Sequence, residues 1–295
     1  MTKYILMVFA GGCSYGLLST FVKLAYKEGY NTAELSFLQA LTGLIILSIL
    51  LFIQNRRKQN KEKEYTGKTQ WWTLLFAGAS IGLTSLVYYH SVQYIPASVA
   101  IIILMQFTWI GILLDWLFYG KTPTRDQIQA IVLILIGTTM AGKLLNSGVD
   151  TLSTKGLVYA FGSALFFALY VVISSRIKAD IQPLKKSAIM MLSSATVIFI
   201  LNAETILFYS HFDIGLIKWI LFLALFGTII PPLVFSTGIP KVGVGYSSIL
   251  MTAELPVAVM CSQMILKEQV NLLQWAGIIL ILLSIIWLNL KKQKV

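Results

Sequence analysis

The sequence contains little charge, and it is poor in the residues on which many soluble enzymes and small secreted domains depend. Charged residues fill 12% of the 295 positions, about half of the share that is usual in soluble domains. Two cysteines and two histidines give no basis for a disulfide framework or a cysteine-rich metal site. The chain also lacks the motif G-x-x-x-x-G-K-[ST], which argues against an ATP-driven pump. We therefore expect no metal and no cofactor.

Long apolar runs dominate the rest of the sequence. Hydrophobic residues make up 57% of the chain, and the mean hydropathy is +0.79. A helix needs about 20 residues to cross a hydrocarbon core of about 30 Å, and these runs lack the alternation that is typical of membrane barrels. The pattern predicts an all-α polytopic membrane protein with ten transmembrane helices, over 4–24, 35–53, 71–93, 98–119, 128–145, 156–177, 188–209, 216–238, 245–266 and 272–290.

The basic residues predict the orientation of these helices. The net charge is +11, which can indicate nucleic acid, but the lysines and arginines lie in short gaps between the apolar runs. Counted over alternate gaps, 17 of the 23 fall on one side and 6 on the other. The positive-inside rule then predicts a multi-pass protein of the cytoplasmic membrane with both termini in the cytoplasm. Its partners are expected to be the lipid bilayer and a small-molecule substrate, and not nucleic acid.

The two halves of the chain, 1–146 and 147–295, are similar in pattern. At a shift of 147 residues Gln127 meets Gln274, and Lys121 meets Glu268, without gaps. The polar connector 146–155 divides the chain almost in half. Each half holds five predicted helices, and an odd number turns the second half upside down relative to the first. Inverted five-helix repeats are a recurring transporter architecture, with the substrate site near the midplane.

The chain resembles the EamA-type drug/metabolite transporter superfamily over nearly its whole length. The second half carries the resemblance through Ser247, Ser248, Glu254-Leu-Pro256, Leu266-Lys-Glu268, Gln274, Ala276-Gly277 and, at its start, Gly156, Phe166-Phe167-Ala168-Leu-Tyr170 and Arg176. The first half departs from the pattern, since Trp109 replaces an expected proline and Gly120-Lys121 stands where Gly-Glu is typical. The resemblance implies export or exchange of small organic metabolites, including amino acids, across the cytoplasmic membrane.

Three acidic residues lie well within apolar runs: Asp115, Glu204 and Glu254. A carboxylate in hydrocarbon is costly, so each is a functional candidate by default. Asp115 is near the end of its run, where snorkelling or a partner such as Lys121 could satisfy it, and Glu204 lies near the outer end of the seventh run. Glu254 is close to the midplane. We expect it to bind a substrate ammonium group or a proton; the alternative is a neutral, hydrogen-bonded glutamic acid that stabilises a kink.

Prolines and a glycine pair indicate where the helices depart from regular packing. Pro256 follows Glu254 by two positions and frees a backbone carbonyl, which predicts a kink or a local opening of the helix. The pair Pro231-Pro232 predicts a helix break that acts as a hinge or cavity wall, or is simply a tolerated kink. Gly12 and Gly16, four residues apart, permit close approach of another helix.

Aromatic and polar side chains at similar depth are candidates to line a cavity for a small zwitterionic or aromatic solute. We expect some three of these seven to do so, and the others to face lipid or pack in the protein: Ser14, Tyr15, Tyr88, Tyr89, Gln106, Trp109 and Tyr170.

The sequence therefore predicts a secondary transporter rather than an enzyme. It would export or exchange an amino acid or amine-like solute by alternating access, with proton coupling as a further expectation. The alternatives are an intramembrane lipid-modifying enzyme and a membrane scaffold or receptor. The enzyme would need a grouping of nucleophile and base that the two isolated histidines do not provide. The scaffold would depend on the hydrophilic loop 54–70, so trimming this loop separates it from a transporter.

Overall fold

The computed structural model describes residues 2–57, 71–141, 153–177, 181–210, 213–267 and 271–292. These residues form fourteen α-helices and one π-helix, and no strand occurs among them. In chain order the elements are α1 (Thr2–Gly16), α2 (Leu18–Lys27), α3 (Thr32–Arg57), α4 (Trp71–Tyr94), α5 (Ala97–Leu104), α6 (Phe107–Tyr119), α7 (Arg125–Ala141), α8 (Thr154–Ser175), α9 (Pro183–Phe208), α10 (Ile214–Leu223), the π-helix Ala224–Ile229, α11 (Ile230–Val242), α12 (Val244–Met251), α13 (Glu254–Leu266) and α14 (Leu272–Lys292).

The described helices join into ten segments, and each predicted apolar run falls on one of them. Eight segments are long and apolar enough to cross a membrane. Of the other two, α7 has 17 residues, and Leu272–Ser284 within α14 is a shorter apolar helix. Large apolar side chains such as Ile200, Phe208 and Met264 are exposed, as expected of a surface that lipid covers. The chain is thus an all-helical, multi-pass membrane protein.

Polar caps explain why several helices begin before the apolar runs. The N–H of Glu34 donates to Oδ1 of Asn31 at 2.9 Å, and the N–H of Asn31 donates back to the Glu34 side chain, so α3 begins at Thr32 rather than at residue 35. The side chains of Thr124 and Asn271 start α7 and α14 through similar reciprocal bonds with glutamines three residues later. The first turns of α3 and α7 are polar, so an apolar run does not include them, whereas α14 begins at Leu272, where its apolar run also begins.

Four of the ten segments are divided between elements, and α9 contains in addition a kink at the non-helical residue Asn202. The first is broken at Leu17 and the fourth at Met105–Gln106; the eighth contains the π-helix, and the ninth is broken at Thr252–Ala253. Pro231 and Pro232 lie directly after the π-helix, in the first turn of α11. Pro256 has no N–H to give to the carbonyl of Thr252, which instead accepts from the N–H of Leu255 at 3.1 Å. The breaks at Leu17 and Met105–Gln106 contain no proline.

The interrupted helices occupy the centre of the molecule. Helix α1 packs against α11, α12 and α13, α6 packs against α8 and α12, and α4 packs between α8 and α9. Helices α7 and α14 pair with each other, where a Cβ on Gly137 would lie 2.9 Å from the carbonyl oxygen of Gly277. Glu268 and most of the predicted loop 54–70 and connector 146–155 lie outside the described residues.

Candidate functional site

A small cavity lies where the interrupted helices meet. It holds about 30 Å³, roughly the space of one water molecule. Helices α1, α2, α4, α5, α8 and α13 all contribute to its wall, which consists of Tyr15, Leu18, Ile81, Thr84, Ser85, Tyr88, Tyr89, Leu104, Phe167 and Glu254. The wall is aromatic and weakly polar, with one carboxylate.

Glu254 is the first residue of α13, immediately after the break in the ninth segment. The break places its carboxylate in the first turn of a helix, where the helix dipole favours a negative charge. The residue is 4% exposed, and Oε2 has no hydrogen-bond partner among the described residues. A buried polar atom without a partner is unfavourable, so this oxygen is available to a ligand or a proton.

Tyrosines surround this carboxylate. The hydroxyl of Tyr15 is buried and, within the described parts of the chain, has no hydrogen-bond partner. Its ring packs edge-on against Phe167 and Phe235, with centroid distances of 5.8 and 5.5 Å. The hydroxyl of Tyr89 donates to Oε1 of Gln39 at 2.9 Å, so Tyr89 is held in place by α3. The site therefore contains two kinds of group. Packing fixes the positions of its aromatic rings, and the Tyr15 hydroxyl and Oε2 of Glu254 have no hydrogen-bond partner among the described residues.

The structure places four of the eight predicted site residues together in this cavity: Tyr15, Tyr88, Tyr89 and Glu254. Tyr170 is fully buried and lies parallel to Phe167, behind the cavity wall, with a centroid distance of 6.0 Å.

The other three predicted residues stabilise helix irregularities. Oγ of Ser14 donates to the carbonyl of Phe226 in the π-helix at 2.7 Å. The N–H five residues after Phe226 would complete the π-helical pattern, but Pro231 has none, so Ser14 supplies this bond. Gln106 and Trp109 bond to each other at 2.8 Å beside the break in the fourth segment.

Close packing of α1 brings two of the breaks together. A Cβ on Gly12 would lie 2.9 Å from the carbonyl oxygen of Met251 and 3.0 Å from its Cα. A Cβ on Gly16 would lie 2.7 Å from Cβ of Val257 and would also contact the carbonyl of Glu254. Only glycine fits at such distances. The helix that Gly12 and Gly16 allow to approach closely is therefore the ninth segment, at the main chain around Glu254.

Sequence reasoning missed two buried polar residues that bond to neighbouring helices. Gln39 is 1% exposed, and its carbonyl accepts from Oγ1 of Thr228 in the π-helix at 2.8 Å. Lys186 is also 1% exposed, and its Nζ donates to the carbonyl of Ser236 at 3.3 Å. Both are polar residues near or within apolar runs, and this signal could have identified them. Among the residues that the structure describes, no group of three or more His, Cys, Asp or Glu side chains could hold a metal ion.

One end of the molecule, which contains the turn 120–124, carries an ion pair between two helices. Of the two possibilities for Asp115, snorkelling or a partner, the structure shows a partner, which is Arg176 at the end of α8 and not Lys121. The guanidinium also lies over the ring of Tyr119, 3.8 Å from its centroid. A cleft of about 380 Å³ lies beside this pair, lined by the turn 120–124 and the start of α12. Glu204, the third acidic candidate, is exposed on α9.

The opposite end, which contains the turn 28–31, carries a second polar cluster. Glu28 accepts hydrogen bonds from Nζ of Lys218 at 2.9 Å and from Nε1 of Trp219 at 2.8 Å. These bonds hold the pKa of Glu28 below its usual value of 4.5. The hydroxyl of Tyr30 donates to Oδ1 of Asp213 at 2.7 Å, and this bond raises the pKa of Tyr30 to about 12. The central cavity thus lies between two polar clusters at opposite ends of the bundle.

Comparisons with known proteins agree with this architecture. The model of the EamA-like transporter family matches residues 2–142 and again residues 154–290. The chain is 23% identical over 278 residues to the uncharacterized transporter sll1319 of Synechocystis sp. (strain ATCC 27184 / PCC 6803 / Kazusa), covering 92% of this chain and 83% of that protein. A solved protein structure has a similar fold, with a TM-score of 0.73 and 13% identity over 94% of this chain and 96% of that one.

Proposed function

Because the chain belongs to the EamA-like transporter family, we propose that it is a secondary transporter for a small organic solute that carries an amine. The observation that carries this proposal is the position of Glu254 among three tyrosines. Its carboxylate is buried, and one of its oxygens has no hydrogen-bond partner among the described residues. A carboxylate binds an ammonium group by charge, and aromatic faces attract cations. Interrupted helices around the site are typical of transporters, whose substrates bind near the midplane.

The ten helical segments are proposed to form two inverted repeats, 1–146 and 147–295. Local geometry supports a shift of 147 residues between the halves. The breaks Met105–Gln106 and Thr252–Ala253 are related by this shift, as are the left-handed residues Gly120 and Lys267 that end α6 and α13. The capping pairs that start α7 and α14 follow the same shift. Helix breaks, left-handed residues and caps are features of the main chain. Their agreement therefore does not arise from a general similarity between apolar sequences.

Helix packing supports the same arrangement. In two inverted repeats, each segment of the first half corresponds to the segment five places later in the second half. The contact of α4 with α8 then corresponds to the contact of α11 with α1, and both occur. The contact of α6 with α8 likewise becomes that of α13 with α1, and both are present. The pairs α3–α9 and α7–α14 exchange into themselves, as expected for segments beside a two-fold axis.

We assign the end with the turn 120–124 to the cytoplasm, together with both termini. The excess of lysine and arginine on this side, 17 against 6, supports this orientation in the cytoplasmic membrane. In the described conformation Asp115 and Arg176 close the cytoplasmic end, and Glu28 and Lys218 close the outer end. This conformation is then an occluded state of an alternating-access cycle, with a cavity too small for any organic solute.

Proton exchange follows from the same carboxylate. In hydrocarbon a bare carboxylate is costly, so Glu254 is occupied either by a cationic solute or by a proton when its cavity is closed. Each occupant must leave before the other binds. Solute movement in one direction then drives proton movement in the other.

Sealed proteoliposomes with an internal pH indicator test this function. We expect a panel of amines and amino acids to contain a solute that moves protons through the wild-type protein, and Glu254→Gln to reduce this movement at least tenfold. Glu204→Gln is the matched control, because Glu204 is exposed on α9, and it should keep the wild-type rate.

A Glu254→Gln protein that folds, inserts and transports at the wild-type rate under every pH gradient would refute the role of Glu254. Solute flux without proton movement would support the transporter and overturn proton exchange.

A further inference from the structure

The central cavity is unbalanced in charge, and this imbalance bears on the class of solute. Among the ten residues that line it there is one acid, Glu254, and no lysine, arginine or histidine. An amino acid that placed its ammonium group at Glu254 would bring its carboxylate into the same apolar compartment. That carboxylate would have no basic partner in the wall, and it would be repelled by Glu254.

The basic residues nearest in the fold are engaged or distant. Arg176 pairs with Asp115 at the cytoplasmic end, and Nζ of Lys186 donates to the carbonyl of Ser236. Lys23 lies on α2, and this helix packs against α13. Lys23 is seven residues farther along the chain than Gly16, which contacts the carbonyl of Glu254. At a rise of 1.5 Å per residue this is about 10 Å farther along the segment.

The remaining titratable groups around Glu254 are phenols. Tyr15 faces it from α1, and Tyr88 and Tyr89 face it from α4; α2 also contains Tyr26, which donates to the carbonyl of Tyr89 at 3.0 Å. Helix α5 has no titratable residue. A phenol offers a cation its ring face and its oxygen, whereas it offers a carboxylate only one O–H donor.

We propose that the solute is a cationic amine without a carboxylate group, such as an arylalkylamine, rather than an amino acid. This inference rests on the proposed function and narrows its substrate class. Phe167 and the three tyrosines supply the aromatic surface for the apolar part of the solute, and Glu254 supplies its counter-charge. The cavity must widen to admit it, and the breaks at Leu17 and Thr252–Ala253, which adjoin Glu254, allow such a movement.

The charge balance at Glu254 also determines the ratio in which amine and protons are exchanged. When the ammonium form R–NH3+ binds, the carboxyl group of Glu254 releases its proton, so that carboxylate and ammonium remain together. On the other side of the membrane the amine leaves and a proton returns to the carboxylate. One positive charge crosses in each direction, so the cycle is electrically neutral.

Paired probes that differ only in the carboxylate test this inference. Phenethylamine and phenylalanine share the ring and the amine, and tyramine and tyrosine form a second pair. In proteoliposomes that contain the full chain, we expect each amine to enter at least tenfold faster than its amino acid. A potential imposed with valinomycin and potassium should leave the rate unchanged, whereas a pH gradient should change it.

Two variants separate the recognition of the cation from correct folding. Tyr15→Leu removes an aromatic face from the cavity and should raise the KM for phenethylamine several-fold, whereas Tyr209→Leu, the same change at an exposed residue outside the cavity, should leave the KM unchanged. Protection of the protein against thermal unfolding by phenethylamine should disappear in Glu254→Gln and persist in Glu204→Gln.

The outcomes distinguish this inference from the function on which it rests. Equal transport of amine and amino acid, both dependent on Glu254, would overturn the amine class and leave the transporter intact. Amine transport that follows the membrane potential would overturn neutral exchange. A protein that moves none of the four probes but moves another solute would contradict only the inference, and one that moves no solute would contradict both.

Discussion

At the scale of single residues, two kinds of buried polar group bear on the candidate site and the helices around it. One kind supplies hydrogen bonds that the main chain has lost, as Ser14 does for the carbonyl of Phe226. The other kind has unused bonding capacity, as Tyr15 and Oε2 of Glu254 do within the described part of the chain. The first kind stabilises the interrupted helices, and the second kind is left for a ligand. Burial alone does not distinguish them.

Lys186 belongs to the first kind, and its role can be measured. In a regular helix the N–H of residue 240 would donate to the carbonyl of Ser236, but this residue is Pro240, and Lys186 donates instead. Lys186→Met should lower stability by about 1–3 kcal/mol, the usual cost of a buried group without its partner. Pro240→Ala restores an N–H, so the double variant should recover most of this loss in thermal unfolding. Additive effects of the two changes would contradict the assignment.

At the scale of helices, glycines on α1 set the distance to the break in the ninth segment. A Cβ on Gly12 would lie within about 3 Å of the main chain of Met251, which cannot move without displacing Glu254. Gly12→Ala should destabilise the protein by about 1–3 kcal/mol through overpacking, and should reduce transport more than tenfold. Gly162→Ala is the control, since its nearest neighbour would be 3.5 Å away. Transport unchanged in Gly12→Ala would show that the contact is dispensable.

The sequence was sufficient to predict the helices but only part of the site. Continuous apolar runs predicted every segment, because a membrane helix must be apolar along its length. The breaks at Leu17 and Met105–Gln106 were not predicted, since no proline marks them and they arise from packing between segments. Glu254 became a candidate because an acid deep within an apolar run is rare. Arg176, by contrast, lies 61 positions from Asp115, and no local pattern indicates that the two form a pair.

At the scale of the whole molecule, the polar clusters at the two ends differ in construction. At the end that we assign to the cytoplasm, Asp115 pairs with Arg176, and both are largely covered. At the other end, which we assign to the outer side, the Lys218 and Glu28 side chains are 58% and 41% exposed, and an exposed pair of this kind contributes little by itself. The bonds of Trp219 to Glu28 and of Tyr30 to Asp213 add to it. If alternating access holds, small changes at the outer end should shift the balance between occluded and outward-open states.

Acid should open the outer end. Glu28 has a pKa below 4.5, so its carboxylate holds Lys218 and Trp219 at neutral pH, and this contribution is lost as the pH falls below 4.5 through the lowered value. We expect the reaction rate of Leu18→Cys, which lines the cavity, with an external membrane-impermeant thiol reagent to rise relative to the rate of the same variant carrying Glu28→Gln as the pH falls through this range, because the thiolate fraction falls equally in both proteins. The measurement uses a background of Cys13→Ala and Cys261→Ala, so that only this thiol reacts. Glu28→Gln serves as the control for the chemistry of the reagent, because it should react rapidly already at pH 7 and show no further opening in acid. If the two proteins respond identically to pH, Glu28 does not hold the outer end closed.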